Sequence, residues 1–134
     1  MTTTEPTDTC DVLKALYGTF AAGDVPAVLA AFDPGIVWTE AAGGPYAGTY
    51  TGPDAVLQNV LIRLGEEWDG FGLEPDAFVC SGERGVVVGS YHGRYRATGR
   101  TLEARFAHVW SLRGGRPTRF EQITDTVGWH DATG

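Results

Sequence analysis

Two titratable residues in this 134-residue chain are set among aromatic neighbours, and they carry the chemistry it could do. Glu40 closes the run Ile36-Val-Trp-Thr-Glu40, where alternation puts Ile36, Trp38 and Glu40 on one face of a short strand. His108 lies on a longer strand whose period of two gathers Ala104, Phe106, His108, Trp110 and Leu112 on one side. A carboxylate flanked by an indole is poorly solvated, which raises its pKa and makes it a better base near neutral pH. An imidazole, or a phenol such as Tyr17 or Tyr46, can donate a hydrogen bond to an oxygen on which negative charge develops. Base and donor together are what removal of a proton next to a carbonyl requires. Trp38, Trp110, Phe20 and Phe106 would wall the site for a flat, largely hydrocarbon substrate. The scheme needs no cofactor, and the chain shows no metal-ligand spacing and no phosphate-binding glycine loop.

Each of these residues also has a plainer reading. A histidine on an apolar face is often a satisfied core residue, and an aromatic stripe packs a core whatever the function. Glu40 ends its strand and could sit at a rim, paired with an arginine such as Arg94 or Arg105. Trp68 and Trp129 read as rim or subunit-contact residues, and Arg94-Tyr-Arg96 with Arg100 as a solvated hairpin end.

The elements that must position these side chains follow from pattern. Residues 1–8 are Thr-rich and polar and read as a mobile tail, leaving 9–134 as one domain. Asp8 or Thr9 can cap a first helix carrying Val12, Leu13, Leu16, Tyr17 and Phe20, which Gly23 ends. Asp24 caps a second helix with Pro26 in its first turn, and Gly52-Pro53-Asp54 opens a third with Val56, Leu57, Val60, Leu61 and Leu64 on its apolar side. Strands are expected over Phe71–Cys80 (with an edge or bulge at Pro75), Val86–Arg96, Leu102–Arg113 and Thr118–Val127. The last two are joined by a tight turn at Arg113-Gly114-Gly115-Arg116, where paired glycines supply positive φ. Helices followed by an antiparallel meander define an α+β fold, and a sheet curved around a helix encloses a cavity.

Charge and composition narrow the partners. The net charge of −7 argues against nucleic acid and against an anionic membrane surface. No apolar run reaches transmembrane length and no signal pattern opens the chain, so a cytoplasmic protein is expected. Cys10 and Cys80 are too few and too far from any Cys or His partner to indicate a disulfide framework or a zinc site, and are expected to be inert thiols.

Ala21-Ala-Gly-Asp24, Asp33-Pro-Gly-Ile-Val-Trp38, the Gly52-Pro53 helix and the His108-Val-Trp…Arg119-Phe…Asp125-Thr hairpin together resemble the nuclear transport factor 2-like superfamily. Within it the chain is most similar to the SnoaL-like branch, from about residue 9 to about residue 128. The resemblance implies a cone-shaped curved sheet, antiparallel with mixed pairing, wrapped around the N-terminal helices. It also implies a pocket inside the cone and a homodimer formed through the outer sheet face. It puts Glu40 where ketosteroid isomerases keep their general base and His108 where they keep an oxyanion donor. The isomerases' helix-1 tyrosine falls on Leu16, with Tyr17 one step round. Gln122 is nearest the catalytic acid of the polyketide cyclases, and Asp125 lies one step of the pleat out of phase with it. Arg105-Phe106-Ala107 lacks the acid of the Arg-x-Asp that epoxide hydrolases of this fold need. The implied function is a cofactor-independent isomerase, cyclase or dehydratase (lyase) acting on a hydrophobic carbonyl compound. Its catalytic candidates are Glu40, His108 and Asp125. Its substrate contacts are Tyr17, Phe20, Trp38, Tyr46, Phe106, Trp110 and Gln122. The alternative is a non-catalytic binding or scaffold domain of the same fold.

Overall fold

The structure, a computed structural model, describes residues 8–134. The expected tail, except Asp8, lies outside the described residues. Asp8 caps α1 (Thr9–Ala21) by accepting from the Cys10 N–H, and Asp24 caps α2 (Val25–Ala31) by accepting from Ala27. β1 (Val37–Glu40) and β2 (Gly48–Thr51) form a short hairpin. The third helix is not uniform: α3 (Pro53–Val56) passes through a π-helical turn at Leu57–Leu61 into α4 (Ile62–Glu67). Four long strands follow, β3 (Trp68–Ser81), β4 (Arg84–Tyr95), β5 (Thr101–Arg113) and β6 (Arg116–Thr124).

These strands form one curved, open sheet in the order β2-β1-β6-β5-β4-β3. All neighbours pair antiparallel except β1 and β6, which run parallel with Trp38 opposite Phe120. The two-residue β5–β6 turn has φ of 56° at Gly114 and 78° at Gly115, the left-handed pair that a type I′ hairpin requires. β3 is an edge strand with bulges at Asp69/Gly72 and Pro75/Ala77, where a proline can be carried without breaking the ladder. Gly89 on β4 faces the second bulge. A Cβ there would lie 2.3 Å from the Glu74 carbonyl oxygen and 2.6 Å from the Phe106 ring, so only glycine lets that ring lie across β4.

The inner faces read as expected. On β5 the buried residues are Leu102, Ala104, Phe106, His108, Trp110 and Leu112, alternating with more exposed ones. The fourth strand differs: it stops at Thr124, and α5 (Thr126–Thr133) closes one end with Trp129 and Ala132 buried. Trp68, expected at a rim, is only 2% exposed and packs edge-on to Trp129. Arg96 is not simply solvated. It pairs with Asp69 at 2.8 Å and donates to the Glu66 carbonyl, while Arg100 donates to the Asp131 carbonyl.

The cysteines are not free thiols. Cys10, in the first turn of α1, is bonded to Cys80 near the end of β3. The Thr9 hydroxyl also donates to the Gly82 carbonyl at 2.6 Å, so two links hold the start of α1 to the β3–β4 hairpin. Seventy residues of sequence separation hid a pair that the packing of α1 on β3 brings together. Closing a loop of that length stabilises by about 4 kcal/mol on the chain-entropy account. Protein prepared without reductant and then denatured should therefore show no reactive thiol, and reduction should lower its urea midpoint. Two reactive thiols per chain would contradict the bond. They would also favour the expected cytoplasmic setting, since disulfides rarely persist there.

Candidate active site

Inside the sheet, under α1 and the π-helical turn, lies an open-mouthed cavity of about 620 Å3, a figure that includes solvent space at the mouth. Its walls are almost wholly apolar. Leu16 and Phe20 come from α1, Val28 and Phe32 from α2 and its end, Val60, Leu61 and Leu64 from the third helical stretch, and Trp38, Trp110, Phe120 and Trp129 from the sheet and α5. Phe120 stacks on Trp38 with ring centroids 3.8 Å apart, and Trp110 packs edge-on to both, giving the flat wall expected of the aromatic stripe.

The polar groups are few. Thr9, Glu40, His108 and Gln122 are the buried polar residues apart from tyrosines among the described residues, and the last three line the cavity. Glu40 is 7% exposed and is not paired with an arginine. Arg105 is bonded to Asp76 and Arg94 to Asp69, both on the outside. The Trp38 indole N–H donates to Glu40 Oε2 at 2.7 Å, a contact the strand's period makes possible because the two side chains share a face. Burial pushes the Glu40 carboxyl up to about 7, against a smaller lowering by that indole bond. Among the described residues no Arg or Lys lines the cavity to oppose this.

His108 is 4% exposed and is held between two phenols. Tyr17 OH lies 2.5 Å from Nδ1 and Tyr91 OH 2.5 Å from Nε2. Phe106 stacks under the ring at 4.0 Å, a position that depends on the space over Gly89, and Phe120 meets it edge-on. Burial drives the imidazole down to about 3, so it is neutral at physiological pH. The Trp110 indole N–H donates to Tyr17 OH at 2.9 Å, and Gln122 Nε2 donates to Tyr91 OH at 2.9 Å. The Ala41 N–H in turn donates to Gln122 Oε1 at 3.0 Å, fixing the amide's orientation. Burial raises both phenols above the ordinary tyrosine value, and the nearby Glu40 charge adds to this at Tyr91.

The structure thus brings together Glu40, His108, Tyr17, Phe20, Trp38, Trp110 and Gln122 of the expected site, and three expected members are elsewhere. Asp125 is exposed at the end of β6 and accepts from the Gly128 N–H as the cap of α5; the strand ends before its side chain can reach the cavity. Tyr46 is buried behind the wall, donating to Glu67 and accepting from Trp68. Phe106 supports His108 from behind rather than lining the space. Tyr17, expected one step out of register, faces inward beside Leu16 because the buried stripe of α1 is wide enough for both. Tyr91 and Trp129 were not anticipated as cavity residues. Tyr91 has a readable signal, since it shares a strand face with Val87, whereas Trp129 lies on a helix beyond the last expected element, which ends at Val127. Among the described residues no three His, Cys, Asp or Glu side chains are grouped as a metal ion would need.

An α+β sheet of this order around a cavity defines a nuclear transport factor 2-like fold, and comparisons agree. The family model described as "SnoaL-like domain" matches residues 13–120, and the chain belongs to that family. An NTF2-like protein from Burkholderia thailandensis is 41% identical with a TM-score of 0.91, the match covering 94% of this chain and 97% of that one. TerC, whose crystals were grown with polyporic acid, is 28% identical with a TM-score of 0.82 over 92% and 96% of the two chains. A putative polyketide cyclase from Xanthomonas campestris is 20% identical with a TM-score of 0.81 over 94% and 96%, a likeness of fold. A search of curated proteins gives no match.

Glu40 and His108 oppose each other in pH dependence. Glu40 is raised from 4.5 to about 7, so its folded state holds the proton longer, and stability falls as pH rises through that window. His108 is lowered from 6.5 to about 3, so stability is lost as pH falls from 6.5 toward 3. Urea unfolding of Glu40→Gln against wild type isolates the first effect. The variant should gain on wild type by about 3 kcal/mol between pH 4.5 and 7 and hold that gain above it.

Proposed function

We propose that the cavity is the active site of a cofactor-independent enzyme that moves a proton next to a carbonyl, in an isomerisation, cyclisation or dehydration of a neutral hydrophobic metabolite. The observation that carries this reading is a buried carboxyl poised near pH 7 in the same cavity as a hydrogen-bonded Tyr–His–Tyr cluster. Glu40 is the base. Its pKa lets it be ionised in part at neutral pH and still hold a proton well once it has taken one. The phenols, not an imidazolium, meet the oxygen as charge develops, because His108 is neutral. A carboxylate or phosphate substrate would find no cation on the described walls, which favours a neutral ligand. That a relative was crystallised with polyporic acid supports reading the cavity as a ligand site.

One observation favours a second reading. The acid expected beside His108 is absent, with Gln122 in the cavity and Asp125 outside it, as would suit a domain that binds such a ligand without converting it. We also propose a homodimer through the outer sheet face, on which Val79 is 64% and Ile123 52% exposed; light scattering at twice the chain mass would support it, and a monomer would refute it.

Deuterium uptake separates catalysis from binding. Bicyclic ketones such as 2-tetralone, followed by proton NMR in deuterated buffer, should lose α-protons faster with protein than without. Glu40→Gln should cut that rate by about 100-fold or more, as expected on removing a general base. Binding with no exchange above the buffer rate, or exchange unaffected by the substitution, would favour the non-catalytic domain.

A further inference from the structure

The hydrogen-bond partners of His108 leave a count that does not come out even. Trp110 Nε1 can only donate, so the Tyr17 oxygen accepts from it. Gln122 presents Nε2 to Tyr91 because its Oε1 is taken by the Ala41 N–H, so the Tyr91 oxygen likewise accepts. Each phenol then has one O–H and one lone pair left, and each meets one imidazole nitrogen. A neutral ring has one N–H and one bare nitrogen. One phenol must therefore donate to the ring and the other accept from it. The phenol that accepts has filled both lone pairs, and its own O–H has no partner in the cluster.

We propose that Tyr17, His108 and Tyr91 form a tautomeric relay that offers a single surplus phenolic O–H to a ligand oxygen in the cavity. The donor is Tyr91 when the ring proton is on Nε2 and Tyr17 when it is on Nδ1. This rests on the cavity being a ligand site and specifies the ligand as one with an oxygen that accepts one strong hydrogen bond, a ketone or its enol. Two ends also allow a proton to cross the site. When a ligand oxygen takes the Tyr91 proton, the Tyr91 oxygen takes the proton from Nε2. Nδ1 then takes the Tyr17 proton, and the Tyr17 oxygen takes one from the ligand at its own end. No group of the protein is left charged, no electrons change hands, and the tautomer is exchanged. The surroundings suit a neutral relay. Phe106 and Phe120 cover the ring, Tyr17 of α1 and Tyr91 of β4 are the titratable groups bonded to it, and the charge of Glu40 on β1 acts on Tyr91.

The relay predicts opposite responses to two similar substitutions. In Tyr17→Phe, Nδ1 faces no partner, and a bare lone pair there costs less than an orphaned N–H, so the proton should settle on Nε2. In Tyr91→Phe it should settle on Nδ1. Nitrogen-15 NMR of the full chain labelled at histidine reads this directly, with His108 assigned by its loss in His108→Gln and distinguished from the exposed His92 and His130. Wild type should show one ring proton at pH 7, and the two variants opposite tautomers. With carbonyl-labelled 2-tetralone, the carbon-13 resonance should move downfield in wild type and both single variants, and not in the double variant. The same tautomer in both singles, or a carbonyl shift retained in the double variant, would overturn the relay. So would two ring protons on His108 in wild type, which needs neither tyrosine variant to fold. The tautomer readout requires no turnover, so its failure is distinct from failure of the exchange assay that tests the catalytic reading.

Discussion

Two ionisable side chains share a cavity that gives neither an ion partner, and the rest of the site follows from how each avoids an unpaired charge. His108 resolves it by staying neutral and taking a phenol at each nitrogen. Glu40 resolves it by holding its proton up to about 7, with one indole bond as the described partner of its carboxyl. The first solution makes a rigid cluster and the second leaves a group that changes charge at working pH. In the proposed chemistry, a base that changes charge beside donors that stay neutral is the division of labour that enolisation requires.

The scaffold serves that arrangement from several directions. α1 carries Tyr17, and its start is held to the β3–β4 hairpin by the Cys10–Cys80 bond and the Thr9 hydroxyl, so the phenol is delivered to His108 from a helix anchored at its N-terminus. β4 supplies Tyr91, and two residues earlier Gly89 leaves the space in which Phe106 lies to support the imidazole. β6 supplies Gln122, whose amide is turned by the Ala41 N–H of the chain leaving β1. Three strands, β4, β5 and β6, and one helix thus converge on a single ring.

Much of this was legible in the sequence because a period of two is a strong constraint. It put Trp38 with Glu40, and His108 with Trp110, on buried faces, and Gly114-Gly115 fixed the turn between the last two strands. What failed was what periodicity does not encode. The strand pattern runs on through Asp125, although an Asp followed by Thr126-Val-Gly-Trp129 is also a helix cap, and tertiary packing chooses the helix. Residue type marks Tyr46 and Phe106 as wall candidates, but whether an aromatic residue lines a space or stands behind its wall depends on curvature. The partnership of Cys10 with Cys80 is a long-range contact, visible only once α1 lies on β3.

The most direct test is the ionisation of Glu40 itself. Carbon-13 NMR of the side-chain carboxyls, with Glu40 assigned by its loss in Glu40→Gln, follows that one group through a pH titration of the intact protein. The account predicts a midpoint near 7, well above the ordinary carboxyl. A midpoint in the ordinary range would mean that water reaches the carboxylate freely, and the base at the centre of the proposed chemistry would lose its tuning.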